Sequence, residues 1–301
     1  MSKIRKGIIL AGGNATRLYP LTHSVSKQLM PVYDKPMVYY PLTTLMIAGI
    51  KEYLVIVNEI NLESFKRLLG DGSKWGINIS YAVQKNPEGL AQAFLIAEEF
   101  LNDSPSVLIL GDNLYHGNDL SSQLIKANED FNSSTIFVYP VSDPERYGVA
   151  EFKDNKVINL YEKPKKPKSR YAVTGIYFYD NTVVQKAKKI KPSERGELEI
   201  TSLNNLYLQE NNLKVEIMGR GIAWLDTGTF DSLHQASTYI RVLERRQGLK
   251  VGCPEEVAWR KGWIKDKDLK YLAKKMVKSG YGKYLLEILK NPLKDQYKDK
   301  K

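Results

Sequence analysis

The sequence predicts an α/β fold, with a mixed, mostly parallel sheet covered on both faces, a small antiparallel part, and helices at the carboxy terminus. Two observations carry this prediction. Runs rich in β-branched residues recur along the first half of the chain, and helical patterns lie between the first four of them. After Pro140 the strand candidates instead follow one another through polar turns, as antiparallel strands do.

In order, the parallel candidates are Gly7 to Leu10, Tyr53 to Val57, Ile77 to Val83 and Ser106 to Leu110, with Thr135 to Pro140 behind them. The first intervening helix is expected to start at Pro36, where proline suits a first turn, and to continue through Val38, Pro41, Leu42, Leu45 and Met46. The second is spaced by Leu90, Ala93, Phe94, Ala97 and Leu101. The antiparallel candidates are Gly148 to Phe152, Lys156 to Glu162 and Tyr171 to Tyr179, with Asp154-Asn155 as a turn and Lys163-Pro164-Lys165-Lys166-Pro167-Lys168 as a loop. A further α/β piece spans about Thr182 to Met218, and helices close the chain from about Asp231. Among these, Leu269, Leu272 and Met276, then Leu285, Ile288 and Leu289, mark amphipathic helices, and Pro292 to Lys301 reads as a frayed polar tail. The expected division is a core of residues 1–230 and a helical segment of residues 231–301.

Composition narrows the function. With 301 residues, 43% hydrophobic and 26% charged, the chain can bury a sizeable core. No apolar run approaches the ~20 residues of a membrane span, and Met1 to Lys6 lead into a strand too short for a signal-peptide core, so a cytoplasmic address is expected. One cysteine, Cys253, and three histidines (His23, His116 and His234) cannot build a Cys/His cage, so any metal must be held by oxygen. The net charge of +11 is unevenly placed: Lys250 to Lys301 carry 15 Lys/Arg against 7 Asp/Glu, an excess of 8 that leaves +3 for the rest. That pattern fits solvated helix faces better than nucleic-acid binding, and neither a nucleic acid nor a membrane is expected as a partner.

The motif richest in chemistry is Gly7-Ile8-Ile9-Leu10-Ala11-Gly12-Gly13-Asn14-Ala15-Thr16-Arg17, followed by Ser26-Lys27-Gln28. A strand empties into a small-residue loop, so backbone N–H groups and the cations Arg17 and Lys27 can converge on one polyphosphate. Neither the P-loop pattern nor the dinucleotide fingerprint is present, and an ordinary strand-to-helix turn would also use Gly12-Gly13.

In open α/β sheets ligands sit beyond the carboxyl ends of the strands. Asp112 follows the run Val107 to Leu110, and Asp226 follows Trp224-Leu225; together they would form a hard oxygen site suited to Mg²⁺ on phosphates, while each alone could be a helix cap or turn residue. Glu162-Lys163 ends another strand with an acid beside a base. Gln84 leaves a strand into Glu88-Gly89-Leu90, and its amide can donate to and accept from a pyrimidine edge, unless it is simply a solvated loop residue.

Eight ordered motifs then resemble the sugar nucleotidylyltransferases: Leu10-Ala11-Gly12-Gly13-x-x-Thr16-Arg17-Leu18, Ser26-Lys27-Gln28-Leu29, Gly89-Leu90-Ala91-Gln92-Ala93, Gly111-Asp112-Asn113, Arg146-Tyr147-Gly148-Val149, Glu162-Lys163-Pro164, Arg195-Gly196-Glu197-x-Glu199-Ile200-Thr201 and Trp224-Leu225-Asp226-Thr227-Gly228. The resemblance implies a Rossmann-like nucleotidyltransferase core with a sugar-binding part at about 141–220, a homotetramer, and Mg²⁺ with dTTP and glucose 1-phosphate as substrates. It implies that Leu10, Ala11, Gly12, Gly13, Thr16, Arg17, Lys27, Gln28, Gln84, Gly89 and Asp112 bind the nucleotide. Tyr147, Gly148, Glu162, Lys163, Thr174, Gly175 and Arg195 would surround the sugar phosphate, with Arg17, Lys27 and Lys163 catalytic and Asp112 and Asp226 on the metal. A second nucleotide site for feedback inhibition between subunits would use Gly117, Glu256, Val257 and Arg260. Alternatives are a uridylyltransferase, a regulatory subunit that binds without strong catalysis, and a nucleotide-sugar glycosyltransferase, for which only Asp266-Lys267-Asp268 offers an Asp-x-Asp pair.

Two positions depart from the family pattern. Asn14-Ala15 stands where Ser-Gly is usual, and the glycine there permits positive φ and close approach to phosphate. Tyr115-His116-Gly117-Asn118 stands where an aromatic residue followed by Gly-His is frequent, which removes an imidazole from the second site. The chemistry needs no general base: a sugar 1-phosphate has a second pKa of about 6 and is already a competent nucleophile at neutral pH. What it needs is relief of repulsion between two anions, which cations and a metal supply.

Overall fold

The computed structural model describes residues 4–154 and 156–290. The first part of the chain runs β1 (Lys6–Ala11), a hairpin of β2 (Pro31–Val32) and β3 (Lys35–Pro36), α1 (Tyr39–Ile47), β4 (Glu52–Val57), α2 (Leu62–Leu69), β5 (Asn78–Val83), α3 (Gln92–Ile96), α4 (Glu98–Leu101) and β6 (Ser106–Leu110). Strands β6, β1, β4 and β5 lie side by side and parallel. The apolar runs of β1, β4 and β6 have no polar side because both their faces are buried, whereas the edge strand β5 exposes Asn78 and Ser80. Ile8, Leu10, Leu54, Ile56 and Leu108 pack with Phe94 and Leu203 on one face. Ile9, Val55, Val57 and Ile109 pack with Leu45 and Trp75 on the other.

Two helical expectations are corrected here. Pro36 closes the β2–β3 hairpin, and α1 begins only at Tyr39. Pro41 takes the place in the first turn where a missing N–H costs nothing. The Leu90 to Leu101 pattern is broken at Ala97 (φ −86°, ψ 2°), which divides it into α3 and α4.

The second part runs β7 (Asn113–Gly117), α5 (Leu120–Glu129), β8 (Ser134–Pro140), β9 (Gly148–Lys153), β10 (Lys156–Glu162), β11 (Tyr171–Tyr179), α6 (Val183–Ala187), α7 (Ile200–Gln209), β12 (Leu213–Ile217) and β13 (Ile222–Asp226). The antiparallel strands join the parallel ones in a single nine-stranded sheet ordered β10-β9-β11-β6-β1-β4-β5, with β12 and β8 branching from β11. The junction is β11, whose register on β8 slips between Val173 and Tyr177 so that it pairs with β6, β8 and β9 in turn. Asp154 takes a left-handed backbone at the expected turn; its neighbour Asn155 lies outside the described residues.

A separate two-stranded ribbon, β7 with β13, sets Asp226 opposite Asn113 and therefore beside Asp112. This ribbon is what brings the two acids together. The chain closes with α8 (Phe230–Gln247), α9 (Pro254–Arg260), α10 (Asp266–Lys275) and α11 (Gly280–Lys290). Val257, Leu269 and Leu285 of these helices belong to the same apolar cluster as Ile9, while Lys267, Lys270 and Lys274 stay exposed, as amphipathic spacing requires. The expected tail from Pro292 lies outside the described residues. Among those described, no helix is long and apolar enough to cross a membrane.

Candidate active site

The loop after β1 leaves Gly12 buried and Gly13, Asn14, Thr16 and Arg17 exposed above the strand ends. Its left-handed residue is Ala15 (φ 47°, ψ 42°), and its carbonyl accepts from Leu18 N–H at 3.0 Å and Thr22 Oγ1 at 2.9 Å. The departure from glycine therefore falls on the one residue of this loop whose backbone glycine favours. A left-handed L-residue costs about 1–2 kcal/mol, against about 0.4–1 kcal/mol that alanine saves by restricting the unfolded chain. Ala15→Gly is accordingly expected to hold or raise the melting temperature, and to keep or raise turnover. A lower melting temperature in differential scanning calorimetry would show that Ala15 is unstrained.

Arg17 and Asp226 both approach Gly228, and the Arg17 charge acts to lower the Asp226 carboxyl. The bare Cα of Gly228 makes room for both, since a Cβ there would lie 3.2 Å from Arg17 Nη2 and 3.3 Å from Asp226 Oδ2. Lys27, 4% exposed, places its ammonium 2.5 Å from Asp112 Oδ2, and Asn113 Nδ2 donates to Asp112 Oδ1 at 2.9 Å. Burial works to raise the Asp112 carboxyl, but the Lys27 charge prevails and holds it below the usual carboxylate range. Asp226 moves the opposite way: burial and the negative charge of Asp112 push it up, against Lys27, Arg146 and Arg17.

Two like charges held together in this way fit a divalent cation. Among the described residues no group of three or more His, Cys, Asp or Glu could hold a metal alone, so phosphate oxygens and water would complete its shell.

Beyond the acids a cavity of about 550 Å³ opens between the sheet and the ribbon. Tyr147, Gly148, Glu162, Lys163, Gly175 and Arg195 line it, and so do Arg17, Asp112 and Asp226. Arg195 lies 2.7 Å from Glu197, 3.6 Å from Glu162 and 3.8 Å from Glu199. Glu162 also accepts from Thr201 Oγ1. Burial, with Glu162 nearby, raises the Glu199 carboxyl. Lys163 adopts φ 42°, and its N–H donates to the Tyr147 carbonyl at 3.0 Å. Gly175 is required by close approach, for a Cβ would fall 2.5 Å from Asn113 Oδ1.

Thr174 is a correction. Fully buried, it does not line the cavity, because successive side chains of β11 alternate and its neighbours Val173 and Gly175 take the cavity side. Arg146, Thr201 and Trp224 line the cavity without having been singled out as site residues. Arg146 lies 2.7 Å from Asp143 and 3.6 Å from Asp226, and its guanidinium stands 5.3 Å from the centre of the Tyr147 ring. The Arg-Tyr-Gly motif was the available signal, but its partner Asp226 is remote in sequence.

On the other side of the loop, Gln84 is 3% exposed, and a Cβ on Gly12 would meet its Oε1 at 2.2 Å. Gly89 (φ +109°) lies against the Leu198 backbone, where a Cβ would come within 2.5 Å. Gln28 is buried, accepts from Ser26 Oγ at 2.7 Å and packs its Cγ near Gly111, while Leu10 and Ala11 form the buried end of β1.

The expected second site does not assemble within one chain. Gly117 (φ +148°) faces a cavity of about 350 Å³ with His116 and Lys250, but Glu256, Val257 and Arg260 do not line it. Glu256 is 2% exposed and turns its carboxylate to Arg260 Nε at 2.7 Å and to the Tyr284 hydroxyl.

Residues 6–242 match the family model described as nucleotidyl transferase. The chain belongs to that family. Curated relatives agree: a glucose-1-phosphate thymidylyltransferase of Neisseria meningitidis is 55% identical over 95% of this chain and 99% of its own length. One from Mycolicibacterium smegmatis is 56% identical over 94% of this chain and 99% of its own. Among solved structures, one assigned as a glucose-1-phosphate thymidylyltransferase of Bacillus anthracis, in complex with a sucrose, superposes with a TM-score of 0.73 at 40% identity, covering 79% of this chain and 95% of that one. A UDP-glucose pyrophosphorylase complexed with UDP-glucose shares the fold, with a TM-score of 0.68 at 23% identity over 80% of this chain and 99% of that one.

Proposed function

We propose that this chain transfers a thymidylyl group from dTTP to α-D-glucose 1-phosphate, giving dTDP-glucose and pyrophosphate. The observation that carries the reading is that one cleft joins Arg17, Lys27, Asp112 and Asp226 to a cavity holding Glu162, Lys163 and Arg195. A phosphate oxygen of the sugar 1-phosphate attacks the α-phosphorus of dTTP, a new P–O bond forms in line with the departing oxygen, and the bond to the β-phosphate breaks. No proton needs to be removed from the nucleophile, which suits a site without a histidine base.

Arg17 and Lys27 bind the triphosphate and take up the charge that grows on leaving pyrophosphate. Lys163 and Arg195 hold the incoming phosphate against its repulsion from the triphosphate, and Glu162, itself held by the Thr201 hydroxyl, accepts from sugar hydroxyls. Asp112 and Asp226 would hold Mg²⁺, which supplies charge neutralisation on the phosphates when bound. The intact Lys27–Asp112 pair favours an active enzyme over a binding-only subunit. We extend the proposal to a cytoplasmic homotetramer, with residues 1–230 as the catalytic core.

Arg195→Gln is expected to raise KM for glucose 1-phosphate about tenfold or more while leaving KM for dTTP nearly unchanged, since a charge-assisted contact is worth about 1.5–3 kcal/mol. Equal increases in both constants would remove Arg195 from the sugar-phosphate side. Turnover of four triphosphates against several sugar phosphates tests the substrate assignment, with dTTP and glucose 1-phosphate expected to lead. A clear lead for UTP would make the chain a uridylyltransferase.

A further inference from the structure

This inference rests on the reading that the cleft beside Gly12 and Gly89 receives the base. A hydrogen-bond relay beneath it decides which atom the base meets. The backbone N–H of Glu88 donates to Gln92 Oε1 at 3.1 Å. A backbone N–H can only donate, so this contact fixes which end of the Gln92 amide is oxygen. The other end agrees, because Gln92 Nε2 donates to the Glu88 carboxylate at 2.9 Å. The 2.6 Å contact from Gln92 Oε1 to Gln84 must then be made by Gln84 Nε2. Gln84 Oε1 is left turned over Gly12, and among the described residues no hydrogen bond reaches it.

We propose that Gln92 is a specificity-positioning residue: by holding the Gln84 amide in one orientation, it turns the acceptor end of Gln84, and not its donor end, to the nucleobase. Thymine and uracil carry an N–H at N3, which that acceptor receives. Cytosine carries a lone pair there, and two acceptors would face each other. Flipping Gln84 would cure the mismatch, since the two ends of an amide are nearly equal in shape. The flip would set Gln84 Oε1 against Gln92 Oε1, which the Glu88 N–H keeps in place. Discrimination against cytosine is therefore anchored in the backbone of the loop rather than in Gln84 alone.

The test is kcat/KM for dTTP and dCTP, which share a sugar and nearly a size, in the parent, Gln92→Leu and the double variant Glu88→Gln/Gln92→Glu. The parent is expected to prefer dTTP by about 10²-fold or more. Gln92→Leu frees the flip, and the dTTP to dCTP ratio should fall by about tenfold or more, the equivalent of one unsatisfied acceptor. In the double variant Glu88→Gln/Gln92→Glu the carboxylate at 92 still accepts from the backbone N–H of residue 88 and from Gln84 Nε2, while an amide at 88 replaces the carboxylate that Gln92 Nε2 faced at 2.9 Å, so most of the ratio should be restored. A merely structural role would lower both substrates together and leave the ratio alone. A parental ratio in Gln92→Leu, or a double variant Glu88→Gln/Gln92→Glu as permissive as Gln92→Leu, would overturn the proposal. If Gln92→Leu does not melt cooperatively, Gln92→Met replaces it with the same expected ratio. Absence of parental turnover would overturn the function proposed above instead, and calorimetric binding of dTTP and dCTP would still read the role of Gln92.

Discussion

Asp112→Asn and Asp226→Asn are each expected to lower kcat by at least about 10²-fold, because each removes a charge from the group that neutralises the leaving pyrophosphate. Their effects on stability should differ in sign. Asp112 is the counter-ion of the buried Lys27, 2.5 Å away, so Asp112→Asn leaves an ammonium without its charge partner and should lower the melting temperature. Asp226 is disfavoured as an anion by burial and by Asp112, so a neutral isostere relieves the folded state. Asp226→Asn should melt at or above the parent. The measurements are kcat at saturating Mg²⁺, the Mg²⁺ requirement itself, and thermal melting of both variants. A variant with near-normal turnover and an unchanged Mg²⁺ requirement would not be missing a metal ligand.

The second large effect is expected at Gly117. A Cβ there would lie 2.1 Å from the Gly221 carbonyl oxygen and 2.6 Å from the Ile222 Cα, and φ is +148°. Neither atom belongs to a side chain that can rotate away, so the two strands of the ribbon must part. Overpacking and an unfavourable φ each cost about 1–3 kcal/mol, and Gly117→Ala should therefore lose about 3 kcal/mol of stability. Activity should fall with it, because the ribbon sets Asp226 opposite Asn113. Urea denaturation gives the stability change, and turnover below the unfolding transition gives the functional one. Normal stability would mean that the ribbon tolerates the methyl and that Gly117 has some other purpose.

What could be read from the sequence follows from where burial is one-sided or complete. Ser106–Leu110, Lys156–Glu162 and Tyr171–Tyr179 begin and end where their residues suggest, since their apolar or alternating patterns match what they bury. The β7–β13 ribbon was not legible. Asn113-Leu114-Tyr115-His116-Gly117 has no clear period, and its partner strand is distant in the chain. Pro36 misled because proline suits hairpin edges as well as helix starts. In the site, charged residues were legible: Arg17 and Lys27 in short helical turns after β1, and Asp112, Asp226, Glu162 and Lys163 at strand ends. Thr174 was misplaced because a strand shows only alternate residues to one face. Arg146 and Gln92 gain their meaning from partners that only folding supplies, Asp226 in one case and the Gln84 amide in the other.

The central claim is tested most directly by pyrophosphate release from the full chain supplied with Mg²⁺, dTTP and glucose 1-phosphate, leaving out one component at a time. The account predicts pyrophosphate and dTDP-glucose in equal amounts when all three are present and neither when any one is missing. No turnover with either dTTP or UTP in the complete mixture would contradict it.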